Sequence, residues 1–342
     1  MNNKLIFFTN IIFCITMLAG CGATSISPND NMVTTNTTGL SKAPVNSKTI
    51  INDESAYETT ITESDYIIEE STTVVEATTA TTEQISTSQP EIIPKDTIGT
   101  ENTDDIIEKI NEAFFSVRNS GALYSVKVIS IDDSTNFGAG NCDTQMISAS
   151  LIKLYVAGAV YENYNGVKEY ENYFGETEYL LDIMISQSDN DACNTLVTRL
   201  GNGDSANGMF MVNSFCSTHG FNGTKMNRLM LDFNGLENYT TPTDCCKILK
   251  SYYQNELPGS ESIISFMKNQ VTRTKIPAGI PDGTVVANKS GELSTVENDA
   301  AIIYAKSGTY IMCAMTNGLL DTASARKAIA MASEYIFYYM CN

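Results

Sequence analysis

The sequence predicts an α+β domain: an antiparallel sheet flanked by N- and C-terminal helices, with an all-helical lobe inserted. Three observations carry that expectation. Helix and strand signals open the region after residue 103. Helical spacing then dominates from about 144 to 253, and short β-rich runs return between 284 and 315 before one last helix. A chain whose two ends supply strands and whose middle supplies helices fits a sheet covered by terminal helices beside a helical lobe.

In order, residues 104–118 place Ile106, Ile107, Ile110, Phe114 and Val117 on one helical face. Gly121 ends that stretch, and residues 122–131, with Val126, Val128, Ile129 and Ile131, read as a strand. Helices are expected at 146–156, at 179–186, at 192–200 stopped by Gly201, at 207–218 stopped by Gly220, and at 243–253. Strands are expected at 284–288, 299–304 and 309–315, the last two joined by a turn at Lys306-Ser307-Gly308. Asp321 or Thr322 then caps a final helix running to Tyr339.

The N-terminus is read separately. Lys4, the apolar run 5–18 and the small residues before Cys21 give residues 1–20 the form of a secretory signal. Leu18-Ala19-Gly20-Cys21 resembles a bacterial lipobox. That resemblance implies lipidation at Cys21 and an extracytoplasmic protein, lipid-anchored to the cell membrane. Residues 21–103 are rich in Thr, Ser and acids, too polar to offset their ordering entropy by burial, and are expected to be a disordered acidic tether ahead of a folded domain at 104–342. Between 22 and 103 lie thirteen acidic residues and three lysines, so ten of the nineteen net negative charges belong to the tether.

Charge and composition exclude several functions. An acidic chain with no basic run lacks the clustered Lys and Arg that phosphate neutralisation needs, so nucleic acid is not an expected partner. His219 is the single histidine, which argues against a Ser-His-Asp triad and rules out a multi-histidine metal site. The seven cysteines after residue 21 show no metal-type spacing, and no disulfide is assigned to them. A hydrolase of this composition takes its base from lysine or a carboxylate.

Ser150 and Lys153 supply such a pair. On a helix, positions three apart share a face, and the apolar residues Leu151, Ile152, Leu154 and Val156 around the lysine favour its neutral form. Taken alone, Ser-x-x-Lys also arises by chance around a snorkelling lysine. Ser188-Asp189-Asn190 precedes a helix and would serve equally as an N-cap. Lys289-Ser290-Gly291 at a strand end would serve equally as the start of a turn.

Together and in this order, the three motifs resemble those of the class A β-lactamase and penicillin-binding-protein superfamily, as a serine hydrolase carried on a bacterial lipoprotein. Ser148-Ala149, Thr240-Thr241-Pro242 and Val296-Glu297-Asn298-Asp299 echo the same pattern. The resemblance implies a β-lactamase/transpeptidase-like fold and gives each residue a task. Ser150 attacks the carbonyl, Lys153 is its base, and Ser188 with Lys289 passes a proton to the leaving nitrogen. Asn190 and Ser290 hold the substrate, Gly291 completes the third motif, and the N–H groups of Ser150 and Glu292 receive the oxyanion. No metal or organic cofactor is implied. The substrate is a β-lactam or, as the alternative, a D-alanyl peptide of the cell wall, handled by a carboxypeptidase, a transpeptidase or a penicillin-binding module without turnover.

One departure is expected to matter. Residues 228–234 can be laid over the family's Arg-x-Glu-x-x-Leu-Asn loop: Arg228 and Asn234 match, Phe233 replaces Leu, and Met230 stands where the deacylating glutamate belongs. Asp232 and Glu237 are the nearby carboxylates.

Overall fold

The computed structural model describes residues 102–341. The expected signal, the lipidation site at Cys21 and all but the end of the tether therefore lie outside the described residues.

The first helix, α1 (Thr103–Ala113), begins at Asn102, whose side chain accepts from the N–H groups of Asp104 and Asp105 while the Asp105 side chain accepts from the Asn102 N–H. A short α2 (Phe115–Asn119) follows, then β1 (Leu123–Ser130) and β2 (Asn136–Ala139). The chain leaves the sheet through β3 (Met146–Ile147) and a 3₁₀ turn into α3 (Ile152–Glu162). The lobe continues as α4 (Tyr164–Lys168), α5 (Glu176–Ser186), α6 (Asn190–Leu200) and α7 (Ser205–Thr218). After β4 (Tyr239–Thr240) come α8 (Pro242–Tyr253) and α9 (Ser260–Lys268). The sheet is completed by β5 (Val285–Leu293), β6 (Val296–Ala305) and β7 (Gly308–Asn317), and α10 (Thr322–Cys341) closes the fold.

The five-stranded antiparallel sheet has the order β2-β1-β7-β6-β5. Its central strands are buried on both faces, so the run Ala300-Ala301-Ile302-Ile303 is continuously apolar rather than alternating. Period-two geometry sorts these residues: Ile302, Ile311, Cys313 and Met315 join the core shared with the helical lobe, whereas Ala301, Ile303, Met312 and Ala314 join the core under α1 and α10.

Three expectations need correction. Residues 146–156 are not one helix. Met146 and Ile147 pair with β4, and only after the 3₁₀ turn does α3 begin. β5 extends to Leu293, so Lys289-Ser290-Gly291 lies inside a strand paired with β6 rather than at its end. The short elements β2, β3, β4, α4 and α9 were not foreseen, because two- to nine-residue segments carry too little periodicity to announce themselves. The seven described cysteines are free.

Candidate active site

Ser150 sits in the 3₁₀ turn at the head of α3, and two contacts fix that turn from outside. The Ser148 N–H donates to the Asn238 carbonyl at 2.8 Å, extending the β3–β4 pairing by one step. The Asn298 side-chain amide donates to the carbonyls of Ile147 and Ser148 at 2.9 and 3.2 Å. Asn298 is anchored in turn by the Thr316 N–H, so the turn that carries Ser150 is tied to the middle of the sheet.

Lys153 is fully buried in the first turn of α3. Its Nζ donates to the Ser188 carbonyl at 2.6 Å and to Asn190 Oδ1 at 2.8 Å, and lies 3.4 Å from Ser188 Oγ. Burial pushes its pKa down to about 8, despite opposing pulls from Cys193 and Asp189. About a tenth of such lysines are neutral at pH 7. The expected meeting of Lys153 with Ser150 is not among the hydrogen bonds of the described residues; Lys153 is bonded to the Ser188 motif instead.

Lys289 is also fully buried, and its Nζ donates to Ser188 Oγ at 2.8 Å and to the Ser290 carbonyl at 2.7 Å. Burial, followed by the neighbouring Lys153 charge, holds its pKa well below the usual lysine value. A single hydroxyl, Ser188 Oγ, thus stands between two lysines. Asp189 caps α6 by accepting from the Ala192 N–H at 2.7 Å, so the capping function weighed from sequence is real and occupies the middle residue of the motif.

Gly291 explains how β5 reaches Ser150. A Cβ built there would lie 2.9 Å from the Ser148 carbonyl and 3.1 Å from the Ser150 nitrogen. Only a residue without a side chain lets the strand pass that close and bring the following N–H, that of Glu292, beside the Ser150 turn. Gly291→Ala is therefore expected to destabilise the protein by about 1–3 kcal/mol and to lower acylation more than tenfold. Thermal unfolding and labelling rates check both parts; an alanine variant of unaltered rate would show that the close approach is incidental.

The β5 residues beside the Ser150 turn are tied to a buried ion network. Glu292 Oε1 lies 2.9 Å from the buried Lys275 Nζ, which also meets Glu297 at 2.8 Å, and Arg326 pairs with Glu297 at 2.6 Å. Burial alone would raise the Glu292 carboxyl, but the Lys275 hydrogen bond and charge outweigh it and hold the pKa below the usual value. Ser290 is buried on β5 opposite Asp299.

Across from these residues lies the loop 228–238. Arg228 donates from Nε and Nη2 to Glu237 Oε2 at 3.1 and 2.6 Å, and the Asn238 side chain bonds the Asn227 and Arg228 backbone, which pins the loop at its base. Asn194 on α6 clamps Met230 from both sides, accepting from its N–H at 2.8 Å and donating to its carbonyl at 2.9 Å. Ser150, Asn190, Met230, Glu237 and Glu292 line one cavity of about 130 Å³. Asp232 is exposed and bonds Asn234 instead.

Backbone strain marks the same place. Six non-glycine residues among those described have positive φ; three are Asp or Asn, which tolerate it, and the others are Ala149, Ser188 and Leu231. Ala149 and Leu231 line the cavity and Ser188 lies between the two lysines, each at a cost of about 1–3 kcal/mol that the surrounding bonds must offset. Sequence reasoning missed Asn194 and the Arg228–Glu237 pairing, and named Asn298 only within the echo at 296–299, without its hold on the Ser150 turn.

Element order and sheet topology together define a domain of β-lactamase/transpeptidase-like fold. Residues 176–340 match the family model described as the beta-lactamase enzyme family. Among solved structures, the β-lactamase of Sphaerobacter thermophilus is similar at a TM-score of 0.60 and 20% identity, over 70% of this chain and 98% of that one. A variant of PBP-A, solved as its acyl-enzyme complex with penicillin G, is similar at 0.59 and 20%, over 70% and 97%. The TLA-1 extended-spectrum β-lactamase is similar at 0.60 and 21%, over 71% and 100%. At such identities the structural likeness is one of fold, and the resemblance drawn from the three motifs is borne out at that level. No curated protein matches the chain.

Proposed function

We propose that the protein is a serine acyl-enzyme hydrolase of class A β-lactamase type, acylated by β-lactams at Ser150. The observation that carries this reading is Ser188 Oγ held between two buried lysines, 2.8 Å from Lys289 and 3.4 Å from Lys153, beside the strained turn of Ser150. Two lysines buried within reach of one hydroxyl repel one another and lose hydration, an arrangement that a proton-transfer role explains and an inert fold does not.

In the reaction, neutral Lys153 takes the Ser150 proton as Oγ attacks the lactam carbonyl. The N–H groups of Ser150 and Glu292 receive the oxyanion, where one donor contributes about 3 kcal/mol. Ser188 delivers a proton to the leaving nitrogen and regains one from the lysines, leaving an ester on Ser150. Asn190 and Ser290 orient the amide and carboxylate of the substrate.

A second reading, a penicillin-binding protein that acts on D-alanyl wall peptides by carboxypeptidase or transpeptidase chemistry, is favoured by one observation: Met230, which cannot accept a proton, occupies the cavity beside Ser150. The two readings part on substrate. Turnover of a chromogenic cephalosporin without D-alanine release from an acyl-D-alanyl-D-alanine peptide supports the first, and the reverse pattern would sink it in favour of the second.

A further inference from the structure

Breakdown of the ester on Ser150 needs a group that can take a proton from water, and Met230 supplies none. Two carboxylates besides Asp232 stand near: Glu292, whose Oε1 is bonded to Lys275, and Glu237. Glu292 is committed to the buried ion network of Lys275, and the β3–β4 pairing brings Glu237 near. Met146 faces Thr240, Ile147 faces Tyr239, and Ser148 bonds the Asn238 carbonyl. Glu237 is the residue next to Asn238 on that segment, as Ala149 is next to Ser148, so the pairing ends with Glu237 close to the turn that carries Ser150. The cavity admits it, since Glu237, like Glu292, lines the wall that Ser150 lines. Finally, both Arg228 donors fall on Oε2, which leaves Glu237 Oε1 without a hydrogen-bond partner among the described residues.

We infer that Glu237, the closing residue of the short loop, is the base of deacylation: it holds the hydrolytic water through Oε1 while Arg228 fixes its other oxygen. The water gives a proton to Glu237 as its oxygen bonds to the acyl carbon. The bond from that carbon to Ser150 Oγ then breaks, and the proton passes from Glu237 to Oγ. Water is added across the ester and the enzyme is restored. A residue of the loop's ion pair thus does the work that Met230 cannot.

This inference rests on the serine acyl-enzyme reading, and the test separates the two. The unaltered protein, Glu237→Gln, Glu237→Asp and Asp232→Asn are each mixed with a chromogenic cephalosporin, and the colour burst and the decay of the mass adduct are followed. Glutamine still accepts from Arg228, so the burst rate should stay within about threefold while the adduct lives about 100-fold longer, the usual contribution of a general base. Aspartate keeps the charge pair but withdraws the carboxylate by one methylene, and should lengthen the lifetime about tenfold. Asp232→Asn should change neither. A split between unaltered burst and slowed decay is what a merely structural loop residue would not give. An adduct that decays normally in either Glu237 variant, or never decays in the unaltered protein, overturns this inference alone. No adduct on the unaltered protein overturns the acyl-enzyme reading with it.

Discussion

Lys153→Met is expected to lower the acylation rate by about 10³-fold, within the range of a lost general base, while leaving a folded protein. Lys153 is the buried amine whose pKa of about 8 allows it to be neutral near physiological pH. Acylation requires that neutral form, so the rate of the unaltered protein should climb with pH through about 8 and then level, and the variant should lose that limb. The same shift has a stability consequence of definite sign. The folded-state pKa lies below the unfolded value, so holding the protonated lysine costs stability fully below about pH 8, and the cost fades as pH rises toward the unfolded value. Its size is about 3 kcal/mol at neutral pH. Methionine escapes that cost but leaves the Ser188 carbonyl and Asn190 Oδ1 without their donor. The two effects oppose, and the melting temperature should move little. A variant that acylates within tenfold of the original would show that Lys153 is not the base.

Met230→Glu should shorten the life of the acyl adduct by about 100-fold. The Met230 backbone is clamped by Asn194 at both its N–H and its carbonyl, so a new side chain there leaves the loop in place and puts its carboxylate into the cavity that Ser150 lines. Arg228 lines the same cavity and offsets part of the burial cost of the charge. The variant is expected to lose about 1–3 kcal/mol in stability. Adduct decay followed by mass tests this, and an unaltered lifetime would mean that the water lies elsewhere. In a Glu237→Gln background the same substitution should restore turnover.

Much of this is legible in the sequence because the candidate residues sit in contiguous motifs. Ser150 and Lys153 stand out by spacing, Ser188 and Lys289 through the resemblance that the three motifs carry together, and the fold brings Lys153, Ser188 and Lys289 into direct contact. The order of sheet and lobe also followed from where apolar periodicity changed from helix-like to strand-like. What the sequence hid is contact between residues far apart. Nothing near Lys153 announces that its hydrogen bonds go to Ser188 and Asn190 rather than Ser150. Asn298 reaches back some 150 positions to hold the turn before Ser150. In the sequence Glu237 is one of two spare acids; the fold puts it in the wall of the cavity that Ser150 lines and leaves Asp232 outside that wall. The end of β5 was misjudged for a related reason: Gly291 reads as a turn residue, yet it is there because the strand must pass against Ser150.

The central claim, an ester on Ser150, is tested most directly by mass spectrometry of the folded domain after brief exposure to benzylpenicillin, with digestion to locate the adduct and Ser150→Ala alongside. The account predicts one added penicilloyl group per chain, on the peptide that contains Ser150, and none on the alanine variant. An adduct that persists in Ser150→Ala, or β-lactam hydrolysis that survives it, would contradict the account.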